Sequence, residues 1–135
     1  MNVFFYGLFM DTAILARSGI YPSSLQKGYL QDYALKIGNR ASLIPSTNER
    51  SYGVVITADQ ESLAKLYAAP SVADYIPEEV MVHVASGGVI KALCYNLPEA
   101  SLSGTNPVYA ASLYKLAKKL GFPESYLEKI KKNIE

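Results

Sequence analysis

Cysteine is almost absent from this chain, tryptophan is missing, and histidine occurs once. A lone Cys94 cannot close an internal disulfide. One thiol and one imidazole, His83, supply neither a zinc ligand set nor a Cys/His nucleophile pair. Cys94 stands in the apolar run 89–95, so it reads as a buried structural thiol. An excess of charge is lacking too: thirteen basic residues face twelve acidic ones, a formal net charge of +1. Nothing electrostatic therefore points to nucleic acid or to an anionic membrane surface. The cluster Lys129, Lys131 and Lys132 fits a solvated helix face. No apolar run approaches the roughly twenty residues of a membrane span. The N-terminal stretch has no basic region and is broken by Gly7 and Asp11, unlike a secretory signal. The expectation is one soluble, cytoplasmic domain over residues 1–135, with oligomeric state open and a homodimer among the options.

What is present is enough apolar material for a core: half of the 135 residues are hydrophobic. The run 2–5 suits a buried strand. Asp11 can cap a short helix to about residue 18, which Gly19 ends. A loop over 20–28 leads to a strand at 29–37. Gly38, Asn39 and Arg40 then turn the chain into a short apolar segment, 41–44, stopped by Pro45. Residues 45–50 read as a polar turn and 51–57 as another strand. Asp59 opens a helix with Leu63 and Leu66 on one face, ended ahead of Pro70. From 78 to 84 the chain alternates, with Val80, Val82 and Val84 on one face and Met81 and His83 on the other. Gly87 and Gly88 signal a hairpin into 89–97. Asn106 and Pro107 open a helix through Leu120, which Gly121 stops, and Pro123 opens a last helix to about residue 133. Strands joined mainly antiparallel, with helices outside, make an α+β fold on a small sheet or barrel.

One stretch asks for a reason beyond packing. In "FFYGLFMDTAIL", residues 4–15, a strand runs into a single glycine and then into a helix start. Glycine permits a sharp turn and close approach to the backbone. Unpaired N–H groups at such a turn suit a carboxylate or phosphate. A plain strand-to-helix turn with Leu8, Phe9 and Met10 packed inside would read the same way.

Four stretches in order carry a resemblance. They are "FFYGLFM", "YALKIGNRASLIPS" (33–46), "SYGVVI" (51–56) and "NPVYAASLYKLAKKLGFPESYLEKIKKNIE" (106–135). Together they resemble the γ-glutamylcyclotransferase-like family across most of the chain. The resemblance implies a small mixed β-barrel flanked by helices. It also implies a chemistry: backbone amides of the loop hold the α-carboxylate end of a γ-glutamyl group. A glutamate deprotonates the α-amine, which attacks its own γ-carbonyl to give 5-oxoproline and a released amine. Neither metal nor cofactor is required, because the attack is intramolecular. Carried to this chain, the binding loop is Tyr6, Gly7, Leu8, Phe9 and Met10, with Tyr75 and Tyr109 at aromatic positions near the pocket. The implied partner is a small molecule bearing a carboxylate. Arg40, after the Gly-Asn turn, can pair with such a group or simply sit in solvent.

The resemblance departs from the family at the base. The glutamate is expected after a helix, in a pattern like L-D-x-x-E-G, and the matching stretch here is "LYAAPSVADYIPEEVMVHV". Pro70 takes the glutamate's place; a shift of one offers Ala69. Neither accepts a proton. Glu78, in phase with the valines of its strand, is the substitute base to be tested, while Glu79 points the opposite way and Asp74 reads as a turn residue. Two functions stay open: cyclisation of a γ-glutamyl or related adduct, or a binding module on the same scaffold without turnover.

Overall fold

The computed structural model describes residues 1–134. Five strands, β1 (Asn2–Phe5), β2 (Leu25–Ile37), β3 (Ala41–Thr57), β4 (Ile76–Val84) and β5 (Gly88–Asn96), close into a barrel in the order β1-β3-β2-β4-β5. Every pairing is antiparallel except that of β1 with β5, where Val3 lies opposite Leu93. Four helices, α1 (Thr12–Arg17), α2 (Gln60–Leu66), α3 (Pro107–Lys119) and α4 (Glu124–Lys131), complete the α+β fold. Among the described residues no helix is long and apolar enough to cross a membrane.

The strands explain their own composition. Phe4, Leu30, Leu43, Val55, Val80, Val82, Ala92 and Cys94 fill one core cluster, and Val3, Phe5, Val54 and Ile56 join a second with α3 and α4. Neighbours along β1 and β3 thus alternate between two buried clusters, so both strands read as continuous apolar runs. Cys94 is fully buried, as its run implies. On the far side Ala110, Leu113 and Ala117 of α3 and Tyr126, Leu127 and Ile130 of α4 supply the stripe that covers the barrel.

Closure depends on two glycines at one register. Gly28 and Gly53 lie opposite each other. A Cβ on Gly28 would stand 2.6 Å from the His83 carbonyl oxygen, and one on Gly53 would strike the Phe5 carbonyl and the Phe4 ring. Side chains here would hold β1 and β4 away from the central hairpin.

Two sequence readings need correction. Residues 45–50 are no independent turn: β3 runs unbroken from Ala41 to Thr57 through Pro45. The polarity has another origin. Pairing jumps from Gln31 opposite Arg50 to Tyr33 opposite Pro45, so residues 46–49 bulge opposite Asp32 alone. Asp32 and Asn48 take positive φ there, 68° and 67°, and the Asp32 carboxylate accepts the Asn48 amide at 2.9 Å. The loop expected at 20–28 is shorter, because β2 begins at Leu25 to pair with Ile56. The Asp59 and Asn106 caps and the glycine hairpin at 87–88 stand where the sequence puts them.

Candidate functional site

The end of β1, the β2–β3 turn, the segment after α2 and the first turn of α3 meet around a cavity of about 530 Å³. Beyond β1 the chain turns at Gly7 and makes a single 3-10 turn, Leu8–Met10, before the Asp11 side chain caps α1 by accepting the Ala13 amide at 2.9 Å. Tyr6, Gly7, Leu8 and Phe9 line the cavity; Met10 does not, being buried in the core under the helices. The Met10 and Asp11 amides are taken by the carbonyls of Gly7 and Leu8, both at 3.0 Å. Those of Gly7, Leu8 and Phe9 donate to no backbone carbonyl among the described residues. The Tyr109 hydroxyl stands against this turn: a Cβ on Gly7 would lie 2.5 Å from it. Burial pushes the Tyr109 phenol well up, and the neighbouring Leu8 amide only partly offsets this.

The opposite rim is tied together by polar contacts. Arg40 Nη1 donates to Asp74 Oδ1 at 2.7 Å, and the guanidinium stands 5.8 Å from the centre of the Tyr75 ring. The Tyr75 hydroxyl donates to the Ala41 carbonyl at 2.6 Å. Asn39 accepts from Asn106 Nδ2 at 3.1 Å and donates its amide to the Ser103 carbonyl at 2.6 Å. The β2–β3 turn is thus fastened to the segment after α2 and to the start of α3. Its bond to Arg40 holds the Asp74 carboxyl below the usual range.

Between these rims the walls are aromatic. Tyr67 stacks on Tyr95 with ring centres 3.7 Å apart, Phe9 meets Tyr67 edge-on at 6.0 Å, and Phe5 meets Phe9 edge-on at 5.8 Å. All four rings line the cavity. Burial raises the Tyr67 phenol far above its ordinary value, so it stays neutral. Pro70 also lines the cavity, whereas Ala69 does not. Among the described residues no Asp, Glu, His, Lys or Cys lines it, and Arg40 is its one charged side chain. No cluster of three His, Cys, Asp or Glu capable of holding a metal occurs among the described residues.

Of the residues singled out from the sequence, the cavity brings together Tyr6, Gly7, Leu8, Phe9, Arg40, Tyr75 and Tyr109. Glu78 is elsewhere. It pairs with Cys94 across β4 and β5, and its Oε1 accepts from Asn96 Nδ2 at 2.6 Å. Asn96 Oδ1 in turn accepts from the Leu43 amide at 3.2 Å, and the Ser42 hydroxyl lies 3.4 Å from it. Glu78 therefore belongs to a polar group at the rim of the barrel, and its charge adds to the upward shift that burial imposes on Cys94 and Tyr33. His83 stacks on Tyr29 with ring centres 5.0 Å apart, outside the cavity. Sequence reasoning missed Asn39, Tyr67, Val72, Tyr95 and Asn106 as lining residues. Only Tyr67 and Val72 carried a signal, by flanking Pro70.

The family model described as gamma-glutamyl cyclotransferase, AIG2-like, matches residues 3–115. A solved structure named gamma-glutamyl cyclotransferase superposes with a TM-score of 0.77 at 23% identity, covering 97% of this chain and 86% of the other. An uncharacterised protein from Homo sapiens gives 0.72 at 25% identity, covering 96% and 85%. A yeast gamma-glutamyl cyclotransferase specific to glutathione gives 0.70 at 14% identity, covering 99% and 95%. No curated protein sequence matches the chain.

Proposed function

Because the chain belongs to the gamma-glutamyl cyclotransferase, AIG2-like family, we propose that its cavity binds a small carboxylate ligand and that it forms 5-oxoproline from γ-glutamyl amides very slowly or not at all. One observation carries this reading: Pro70, which the resemblance sets at the glutamate's position, lines the cavity, and among the described residues no carboxylate or imidazole does.

Cyclisation requires the substrate's α-ammonium to lose a proton before its nitrogen attacks the γ-carbonyl carbon. The C–N bond to the leaving amine then breaks, and that amine leaves with a proton. A positioned base contributes roughly 10²- to 10⁴-fold to such a step. Asp74 is a poor substitute, because Arg40 lowers its affinity for protons. Glu78 is held by Asn96 away from the cavity. What remains supports binding. The Gly7–Phe9 turn, whose amides donate to no backbone carbonyl among the described residues, and Arg40 put a few polar groups on a largely aromatic lining, a common arrangement for a small-molecule pocket.

The test is 5-oxoproline release from γ-glutamyl-alanine by wild type, Ala69→Glu, Pro70→Glu and Glu78→Gln. Wild type should fall far below roughly 1 per second, the lower end of ordinary enzyme rates. Pro70→Glu should raise the rate, and Glu78→Gln should leave it unchanged. Wild-type turnover at ordinary rates with Glu78→Gln fully active would place the base on an acid outside this account.

A further inference from the structure

Resting on that reading of the cavity, we infer that it selects carboxylates without a positively charged amine, and that such a ligand takes Arg40 from Asp74. The charge inventory of the site leads there. Among the described residues Arg40 is the one charged side chain in the lining, and no acidic side chain accompanies it inside. A ligand's carboxylate can reach a guanidinium whose present partner, Asp74, is 56% exposed and free to swing into solvent. An exposed ion pair of this kind contributes little, so exchanging it costs little, while the planar fork of Arg40 can hold the incoming group in bidentate fashion.

An ammonium on the same ligand meets the reverse situation. It would lose water among Phe5, Phe9, Tyr67 and Tyr95, with no carboxylate among the described lining residues to replace it. The aromatic faces offer limited compensation, because Tyr67 and Tyr95 spend one face each on one another at 3.7 Å. The charge of Arg40 adds repulsion. An uncharged, flat or apolar body suits the same walls. The favoured class is therefore a small monocarboxylate whose nitrogen, if it has one, is acylated or closed in a lactam. An α-amino acid and a γ-glutamyl peptide with a free α-amine fall outside it.

Two matched pairs of probes differ chiefly in the amine: 3-phenylpropionate against phenylalanine, and 5-oxoproline against glutamine. Amide chemical shifts of Gly7 and Leu8 and the Arg40 Nε–H signal, followed at neutral pH on the full chain, give the dissociation constants. The amine-free member of each pair should bind roughly tenfold or more tightly than its partner, equivalent to one decade in Kd. Arg40→Gln should weaken both amine-free probes by a similar factor. Asp74→Asn should tighten them, an effect that a merely structural ion pair would not produce. Pro70→Glu should narrow the preference by giving the ammonium a partner. Equal or tighter binding of phenylalanine and glutamine overturns the inference and leaves the cavity as a binding site. Unchanged affinity in Arg40→Gln also overturns it. Silence of all the cavity signals with all four probes overturns the reading of the cavity itself.

Discussion

Gly7 adopts φ −109° and ψ −152°, a backbone open to any residue, so its reason for being glycine is space. The space is taken by one atom, the Tyr109 hydroxyl, 2.5 Å from where a Cβ would sit. Overpacking of this kind costs about 1–3 kcal/mol. Gly7→Ala should lose that much in urea unfolding and should weaken ligand binding as the turn shifts. Tyr109→Phe removes the obstructing oxygen, so Gly7→Ala should cost measurably less in that background. Equal costs in the two backgrounds would show that the phenol does not set the turn. Pro70 lines the same cavity, and under the proposed function it matters for the proton it cannot take.

At the scale of elements, the start of α3 does two tasks through Asn106. Its Oδ1 accepts the Tyr109 amide at 3.1 Å and caps the helix, while its Nδ2 donates to the Asn39 carbonyl and fastens the β2–β3 turn. Asn106→Ala should cost about 0.5–2 kcal/mol, the usual loss for such a cap. Asn106→Asp keeps the acceptor and removes the donor. It should retain most of the stability but release the turn, seen as faster amide exchange at Asn39 and Arg40. If Asp and Ala variants lose equal stability, the cap is not what Asn106 contributes. The bulge in β3 follows a similar logic: Glu49 accepts from Ser46 and from Lys129 of α4, tying residues 46–49 to the helix layer. Both contacts lower its pKa, that from Ser46 first.

Across the whole molecule, the eleven tyrosines do more than pack. Tyr6, Tyr67, Tyr109 and Tyr126 are pushed above their ordinary value, in each case chiefly by burial. Their folded forms keep the proton more tightly than the unfolded chain does. This contribution is complete below the unfolded value near pH 10 and is lost as pH rises above it. Stability should therefore fall steeply above about pH 10. Part of the tyrosinate absorbance should appear only in the step that abolishes the far-ultraviolet circular dichroism. Complete titration of all tyrosines in a chain that is still folded would refute the burial account.

Some of this was legible residue by residue. Asp59, Asn106, Pro107 and the glycines at 87 and 88 act through bonds within a few residues, so their local chemistry located element ends without tertiary help. The apolar phase of β4 announced that Val80, Val82 and Val84 are buried. Pro70 could be flagged because a proline cannot accept a proton in any fold. Other features depended on partners far along the chain. Pro45 reads as a strand breaker until the bulge opposite Asp32 lets β3 continue past it. The phase of Glu78 relative to the valines was visible, yet only barrel closure, which brings it to Asn96 instead of the cavity, decided what it touches. The cavity itself is assembled from segments near residues 6, 40, 70, 95 and 109. A linear pattern reports which face a side chain takes on its own element; which faces meet is decided by closure of the barrel, and with it the charge that a ligand encounters.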